Sequence, residues 1–223
     1  MFKKETIRLV IVDYNAGNLF SVEQACRAVG LNPVITSRPE DILKADALIL
    51  PGVGAFGDAM KNLCKLSLVQ PIKEFVAKGN HFMGVCLGMQ LLFSRSEEFG
   101  ENEGLNLIEG NVFKFPSINE KGGKIKVPQI GWNRIFRHSN LENRWNRTPL
   151  EKIVDGEFMY FVHSFYARPL NFENILSETD YDGVKYCSSV IKENIFATQF
   201  HPEKSAGEGL KIYRHWVNII VNN

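Results

Sequence analysis

Apolar residues recur along the first half of the chain in two alternating rhythms. Short, almost wholly apolar runs at Ile7 to Val12, Pro33 to Thr36, Ala47 to Leu50 and Phe82 to Val85 read as strands, the first of them buried on both faces. Between them Ser21 to Val29 and Val69 to Lys78 carry apolar residues at helical spacing, and each stops at a glycine, Gly30 and Gly79. A shorter helical pattern, Met89 to Phe93, follows the fourth strand. Alternation of this kind predicts a parallel sheet covered by helices on both faces, with functional loops at the carboxyl ends of its strands.

The second half has a different rhythm. Strand candidates stand at Leu107 to Phe115, Ile130 to Phe136, Phe158 to Val162, Asn174 to Ser177, Val184 to Cys187 and Ile195 to Phe200, and Glu208 to Val221 reads as a closing helix. These strands predict an antiparallel extension or a small second sheet. Arg137 to Pro149 is polar and reads as a solvated loop. The expected fold class is α/β, a mostly parallel central sheet flanked by helices with an antiparallel extension, and residues 1–223 are expected to form one domain.

Composition narrows the function classes. A chain of 223 residues, 44% hydrophobic and 23% charged, can bury a sizeable core. A formal charge of +1 suggests neither nucleic acid nor an anionic membrane as partner. The apolar run Leu9 to Val12 behind the basic start is too short for a signal-peptide core, and no segment approaches the ~18 apolar residues of a membrane span, so a cytoplasmic protein is expected. Cys26, Cys64, Cys86 and Cys187 form no C-x-x-C pair, which argues against a disulfide framework and a cysteine zinc site. His81, His138 and His215 show no ligand spacing, and no metal or organic cofactor is called for.

The candidate chemistry lies in three loops. Gly84-Val85-Cys86-Leu87-Gly88-Met89-Gln90 stands between a strand and a helical pattern, which puts Cys86 on a nucleophile elbow. The helix start behind it favours thiolate over thiol. The same residues also suit a small buried cysteine between packing glycines. Pro51-Gly52-Val53-Gly54-Ala55-Phe56-Gly57 follows another strand, and its N–H groups can form half of an oxyanion hole, the other half being the N–H of Leu87. A phosphate-binding glycine loop or a plain turn remains open, although neither G-x-G-x-x-G nor the lysine-containing P-loop is matched. In Gln199-Phe200-His201-Pro202-Glu203-Lys204-Ser205, His201 offers a general acid/base and Glu203 a carboxylate to fix its tautomer, held together by the restricted φ of the proline.

These three stretches resemble the signatures of class I (triad) glutamine amidotransferases. The similarity is nearest to glutaminase subunits of imidazole glycerol phosphate synthase, and it extends through Asp13-Tyr14, Gly17-Asn18-Leu19, Glu109 to Val112, Val127-Pro128, Ile130 to Asn133 and Val162-His163-Ser164. It implies Cys86 as nucleophile, His201 as general acid/base and Glu203 as its orienter, acting on L-glutamine. It also implies Gly52, Gln90, Glu98, Ser164 and Phe165 around the substrate, and Asn18, Trp132 and Lys204 on a face that meets a (β/α)₈-barrel synthase. Only one orientation of the Gly52–Val53 peptide directs the Val53 N–H at the oxyanion, so that peptide is expected to switch the enzyme. Two departures stand out: Gln129 where the family usually has histidine, and Phe165 where tyrosine or threonine-arginine variants occur. They leave open a paralogue that supplies ammonia for amidation of a nucleotide sugar or surface-polysaccharide precursor. A thiol hydrolase or peptidase of similar fold, acting without a partner, and a catalytically silent binding subunit are readings from other classes.

Overall fold

The computed structural model describes residues 7–138 and 144–222. The basic start at residues 1–4 and residues 139–143 of the polar stretch lie outside them. The first half runs β1 (Leu9–Val12), α1 (Leu19–Ala28), β2 (Val34–Thr36), α2 (Pro39–Leu43), β3 (Ala47–Gly52), α3 (Phe56–Lys65), α4 (Val69–Ala77), β4 (His81–Cys86), the single turn α5 (Leu87–Gln90) and β5 (Phe93–Ser96). The second half adds β6 (Asn102–Glu103), β7 (Ile108–Lys114), β8 (Gln129–Arg137), β9 (Glu157–His163), β10 (Phe165–Pro169), β11 (Ile175–Tyr181), β12 (Val184–Lys192), β13 (Ile195–Thr198) and α6 (Ala206–Asn222).

Nine strands form one sheet in the order β2-β1-β3-β4-β13-β12-β11-β8-β9. From β2 to β13 all neighbours are parallel; from β13 to β9 all are antiparallel. The predicted extension therefore continues the parallel sheet. A second sheet exists as well, in the order β10-β7-β5-β6.

Both faces of the parallel half are covered, which is why its strands are continuous apolar runs. Leu9 and Ile11 of β1 point to one core cluster, with Val22 and Cys26 of α1 and Ile212 and Trp216 of α6. Val10 and Val12, on the alternate positions, point to the other, with Leu63 of α3 and Phe75 of α4. Each such side chain, fully buried, contributes about 1.5–3 kcal/mol.

Some elements differ from expectation. The helix α3 occupies residues read as the tail of the glycine loop; Phe56, Ala59 and Leu63 are buried on one helical face, a short pattern masked by Gly57. The helical pattern Met89 to Phe93 is mostly not helix, because the chain turns after Gln90 and Phe93 opens β5. In the polar stretch after β8, Trp145 is buried and donates its indole N–H to the Leu176 carbonyl at 2.8 Å, so this part is anchored in the core and is not a solvated loop. Among the described residues, no helix is long and apolar enough to cross a membrane.

Candidate active site

Strand register assembles the site. Gly52 at the end of β3 pairs with Cys86 at the end of β4, and Thr198 of β13 pairs with Val85 on the other side, so one step further sets Gln199 beside Cys86. Three distant stretches thus end in one row at the carboxyl edge of the parallel strands, where an open α/β sheet places its ligands.

Cys86 occupies the turn into α5 with φ 55° and ψ −110°. A non-glycine residue in the left-handed half of φ space stores about 1–3 kcal/mol, a conformation that persists only where its surroundings enforce it. Close packing does so here. A Cβ on Gly52 would strike the Tyr14 hydroxyl, Leu87 and the Gly88 amide, so β3 lies against the elbow only because residue 52 has no side chain. The Gln199 side-chain amide donates to Cys86 Sγ at 3.7 Å, and the thiol lies 3.9 Å from the Val162 carbonyl.

Cys86 and His201 line one cavity of about 320 Å³. His201 Nδ1 lies 2.7 Å from Glu203 Oε1, with both side chains almost wholly buried. The main chain holds this pair in place: the His201 N–H donates to Tyr160 O at 2.9 Å, and Ser205 Oγ donates to His201 O at 2.7 Å. Burial works against protonation of His201, but the Cys86 and Glu203 charges outweigh it and push its pKa up to about 10. The ring is an imidazolium near neutrality, and Nε2 has no hydrogen-bond partner among the described residues, which leaves it free for proton transfer.

The expected substrate residues surround the same cavity. Val53, Leu87, Gln90, Glu98, Ser164 and Phe165 line it, while Gly52 and Glu203 stand behind its wall. Glu98 accepts from the Phe56 N–H at the start of α3 at 2.6 Å. Burial raises its pKa; the Phe56 hydrogen bond opposes that and the Asp58 charge adds to it. Gln90 donates to both Phe165 O and Gln199 Oε1 at 2.9 Å, so it buttresses the residue that touches the cysteine. The contribution of Phe165 seen here is its carbonyl, which any residue supplies. A departure from the family pattern at that side chain leaves the contact intact.

In the wall of the same cavity, His163 is buried with Nδ1 2.8 Å from Phe165 O and Nε2 3.2 Å from Tyr186 Oη. Burial first, then the His201 charge, lower its pKa to about 4 against the opposing Phe165 carbonyl, so it is neutral. A neutral ring that donates from Nδ1 accepts at Nε2 from the Tyr186 hydroxyl. Gln129 Oε1 is 2.9 Å from that hydroxyl, and with its amide ends exchanged Gln129 donates to the hydroxyl that in turn donates to His163. This second departure from the family pattern is thus a buried residue behind His163.

The three expected partner residues occupy related positions. Trp132 is half-exposed and edge-on to Tyr160, with ring centroids 6.0 Å apart, and Lys204 Nζ lies 6.0 Å over the same tyrosine ring. Asn18 caps α1, accepting from the Ser21 N–H at 3.3 Å, and α1 packs against the turn that carries Lys204. Sequence reasoning assigned no part to Gln199, Tyr186 or Tyr14 individually. Gln199 had a usable signal, since it opens the stretch that contains His201.

A family model described as "Glutamine amidotransferase class-I" matches residues 10–218. The chain is 46% identical over 209 residues to the imidazole glycerol phosphate synthase subunit HisH 1 of Legionella pneumophila (strain Paris), covering 94% of this chain and 98% of that one. It is 45% identical over 214 residues to the HisH subunit of Methanosarcina mazei, covering 95% and 98%. The fold is similar to a solved structure of PurLQS from Thermotoga maritima, with a TM-score of 0.66 at 19% identity, covering 95% of this chain and 98% of that one. With the match spanning almost the whole chain, the protein belongs to the class I glutamine amidotransferase family.

Proposed function

We propose that this chain is the glutaminase subunit of an imidazole glycerol phosphate synthase, which hydrolyses L-glutamine and passes the ammonia to a synthase subunit in histidine biosynthesis. The observation that carries the reading is the row Gly52, Cys86 and Gln199 beside the His201–Glu203 pair. The Cys86 thiolate attacks the side-chain carboxamide carbon of glutamine. The N–H groups of Val53 and Leu87 stabilise the oxyanion, a term worth ~10²–10³ in rate per donor. As the tetrahedral intermediate collapses, His201 Nε2–H protonates the departing ammonia and the γ-glutamyl thioester remains. His201, now a base, takes a proton from water as its oxygen attacks the thioester, and glutamate leaves with the thiolate restored. Glu203 holds His201 in the tautomer both steps need. Gln90, Glu98, Ser164 and Phe165 surround the substrate with Gly52 adjoining them, and the part-buried Glu98 carboxylate suits its α-ammonium group.

The partner is a (β/α)₈-barrel synthase subunit docking on Asn18, Trp132 and Lys204, and the resulting heterodimer works in the cytoplasm. One amidotransferase domain spans residues 1–223. HisH relatives in bacteria and an archaeon support the histidine pathway over amidation of a sugar precursor. The test is Cys86→Ala in the complex: glutamine-dependent turnover is abolished while turnover with an added ammonium salt persists. Substantial glutamine-dependent turnover in that variant refutes the assignment.

A further inference from the structure

The carboxylate behind His201 uses only one of its oxygens. Glu203 Oε1 meets His201 Nδ1, whereas Oε2 is buried and without a hydrogen-bond partner among the described residues, on a side chain 1% exposed. A carboxylate oxygen enclosed in this way is strongly disfavoured unless a donor reaches it.

One such donor stands in the same part of the core. The Tyr213 hydroxyl is buried and likewise has no partner among the described residues. Helix α6, which carries it, packs on the turn Pro202–Lys204 that carries Glu203. The approach is close because residue 209 is glycine; a Cβ there would overlap the Pro202 carbonyl oxygen. Tyr213 follows Gly209 by one helical turn and so lies on the same face of α6. Burial first, and then the Glu203 charge, raise the pKa of Tyr213, so its hydroxyl keeps its proton within the field of that carboxylate. The other neighbour in that field is Cys26 on the buried face of α1, whose thiol burial, Glu23 and Glu203 push up to about 12.

We infer that Tyr213 is a positioning residue of the active site, its hydroxyl donating to Glu203 Oε2 directly after a small turn of the carboxylate or through one enclosed water. Cys86, His201, Glu203 and Tyr213 then form a single relay. The role follows from the proton cycle of His201. While the ring is an imidazolium it holds the carboxylate by charge. Once it has given its proton to ammonia, that attraction falls, and a donor on Oε2 keeps Oε1 aimed at Nδ1 for the return step. Tyr213 does not line the substrate cavity, so the effect falls on turnover and leaves glutamine binding alone.

This inference rests on the Cys-His-Glu reading of the site, and the full-length chain in complex with its synthase partner tests it. Tyr213→Phe keeps the ring and removes only the hydroxyl. We expect kcat for glutamine hydrolysis to fall about tenfold with KM unchanged, and Tm to drop by about 3–8 °C. In a Glu203→Ala background the same substitution no longer lowers Tm, because the pair is already broken. That stability cycle is measured on the chain alone and reports the pairing even if no glutamine is hydrolysed, so failure of the functional reading is told apart from failure of the inference. Cys26→Ala leaves kcat intact. If Tyr213→Phe leaves kcat unchanged and Tm unchanged or raised, as expected for removal of an unpaired buried hydroxyl, the inference is overturned. The same holds if Cys26→Ala, and not Tyr213→Phe, slows turnover.

Discussion

The Tyr14 hydroxyl donates a 2.7 Å hydrogen bond to the Pro51 carbonyl oxygen, tying the loop after β1 to the peptide that immediately precedes Gly52–Val53. Burial, followed by the Cys86 charge, raises the pKa of Tyr14 far above its ordinary value, so the donor is present at every working pH. Tyr14→Phe removes this buried hydrogen bond, at a cost of about 0.5–1.5 kcal/mol in stability. It also frees the peptide that sets the position of the Val53 N–H. The partner-stimulated glutaminase rate is expected to fall about tenfold or more, with ammonium-dependent synthesis untouched. A stimulated rate equal to that of the parent shows the bond to be irrelevant to the oxyanion hole.

With the Pro51 carbonyl held by Tyr14, the Gly52–Val53 peptide that follows is expected to switch between idle and active orientations. A chain that cannot sense acceptor substrate needs such a device, since uncoupled hydrolysis wastes glutamine. Glutaminase rates are to be compared for the chain alone, with its partner, and with partner plus acceptor analogue. We expect stimulation on the order of 10²-fold or more, the effect of one oxyanion donor. Full activity of the isolated chain excludes the switch.

Lys204 is exposed, and both it and Trp132 pack against Tyr160. Lys204→Glu reverses a charge without touching the buried His201–Glu203 pair. The dissociation constant for the synthase subunit, measured by titration calorimetry, should rise about tenfold or more, and more steeply at low ionic strength. An unchanged constant places the interface elsewhere.

Two buried histidines act on stability in opposite pH ranges. His163 falls to about 4 in the folded chain from an ordinary value of 6.5, so between those values the unfolded chain binds more protons. The stability it permits is present above 6.5 and is lost as pH drops toward 4, by an amount of the order of 3 kcal/mol. His201, raised to about 10, stabilises fully below 6.5 and loses that contribution as pH climbs through 10. His163→Asn, which keeps a donor for the Phe165 carbonyl, should flatten the acid limb of stability in urea titrations and leave the alkaline limb. An acid limb unchanged in that variant assigns the loss to other groups.

Much of the site was legible because its signals are local. A cysteine between Val85 and Gly88, where an apolar strand meets a turn, predicts an elbow whatever the rest of the chain does, and the elbow stands there with φ 55°. His201 and Glu203 are two residues apart across a proline, so their pairing at 2.7 Å was within reach of local geometry. Helix α1 and the strand β7 follow from periods of 3.6 and 2 that a single segment displays.

What the sequence by itself determined, then, is the set of chemical groups and the segment each one sits on. The tertiary structure alone decided which segments meet. Nothing in Ile195 to Phe200 says that this late strand inserts beside β4, yet that pairing is what brings His201 to Cys86. The burial of Trp145 within a polar stretch, the use of Phe165 through its carbonyl, and the gathering of Tyr213 behind Glu203 are of the same kind. Period, propensity and capping are settled within a turn or two of chain, whereas strand order and the partner of a buried polar atom depend on how distant segments share one core. The information is spread over residues whose separation along the chain bears no relation to their distance in space.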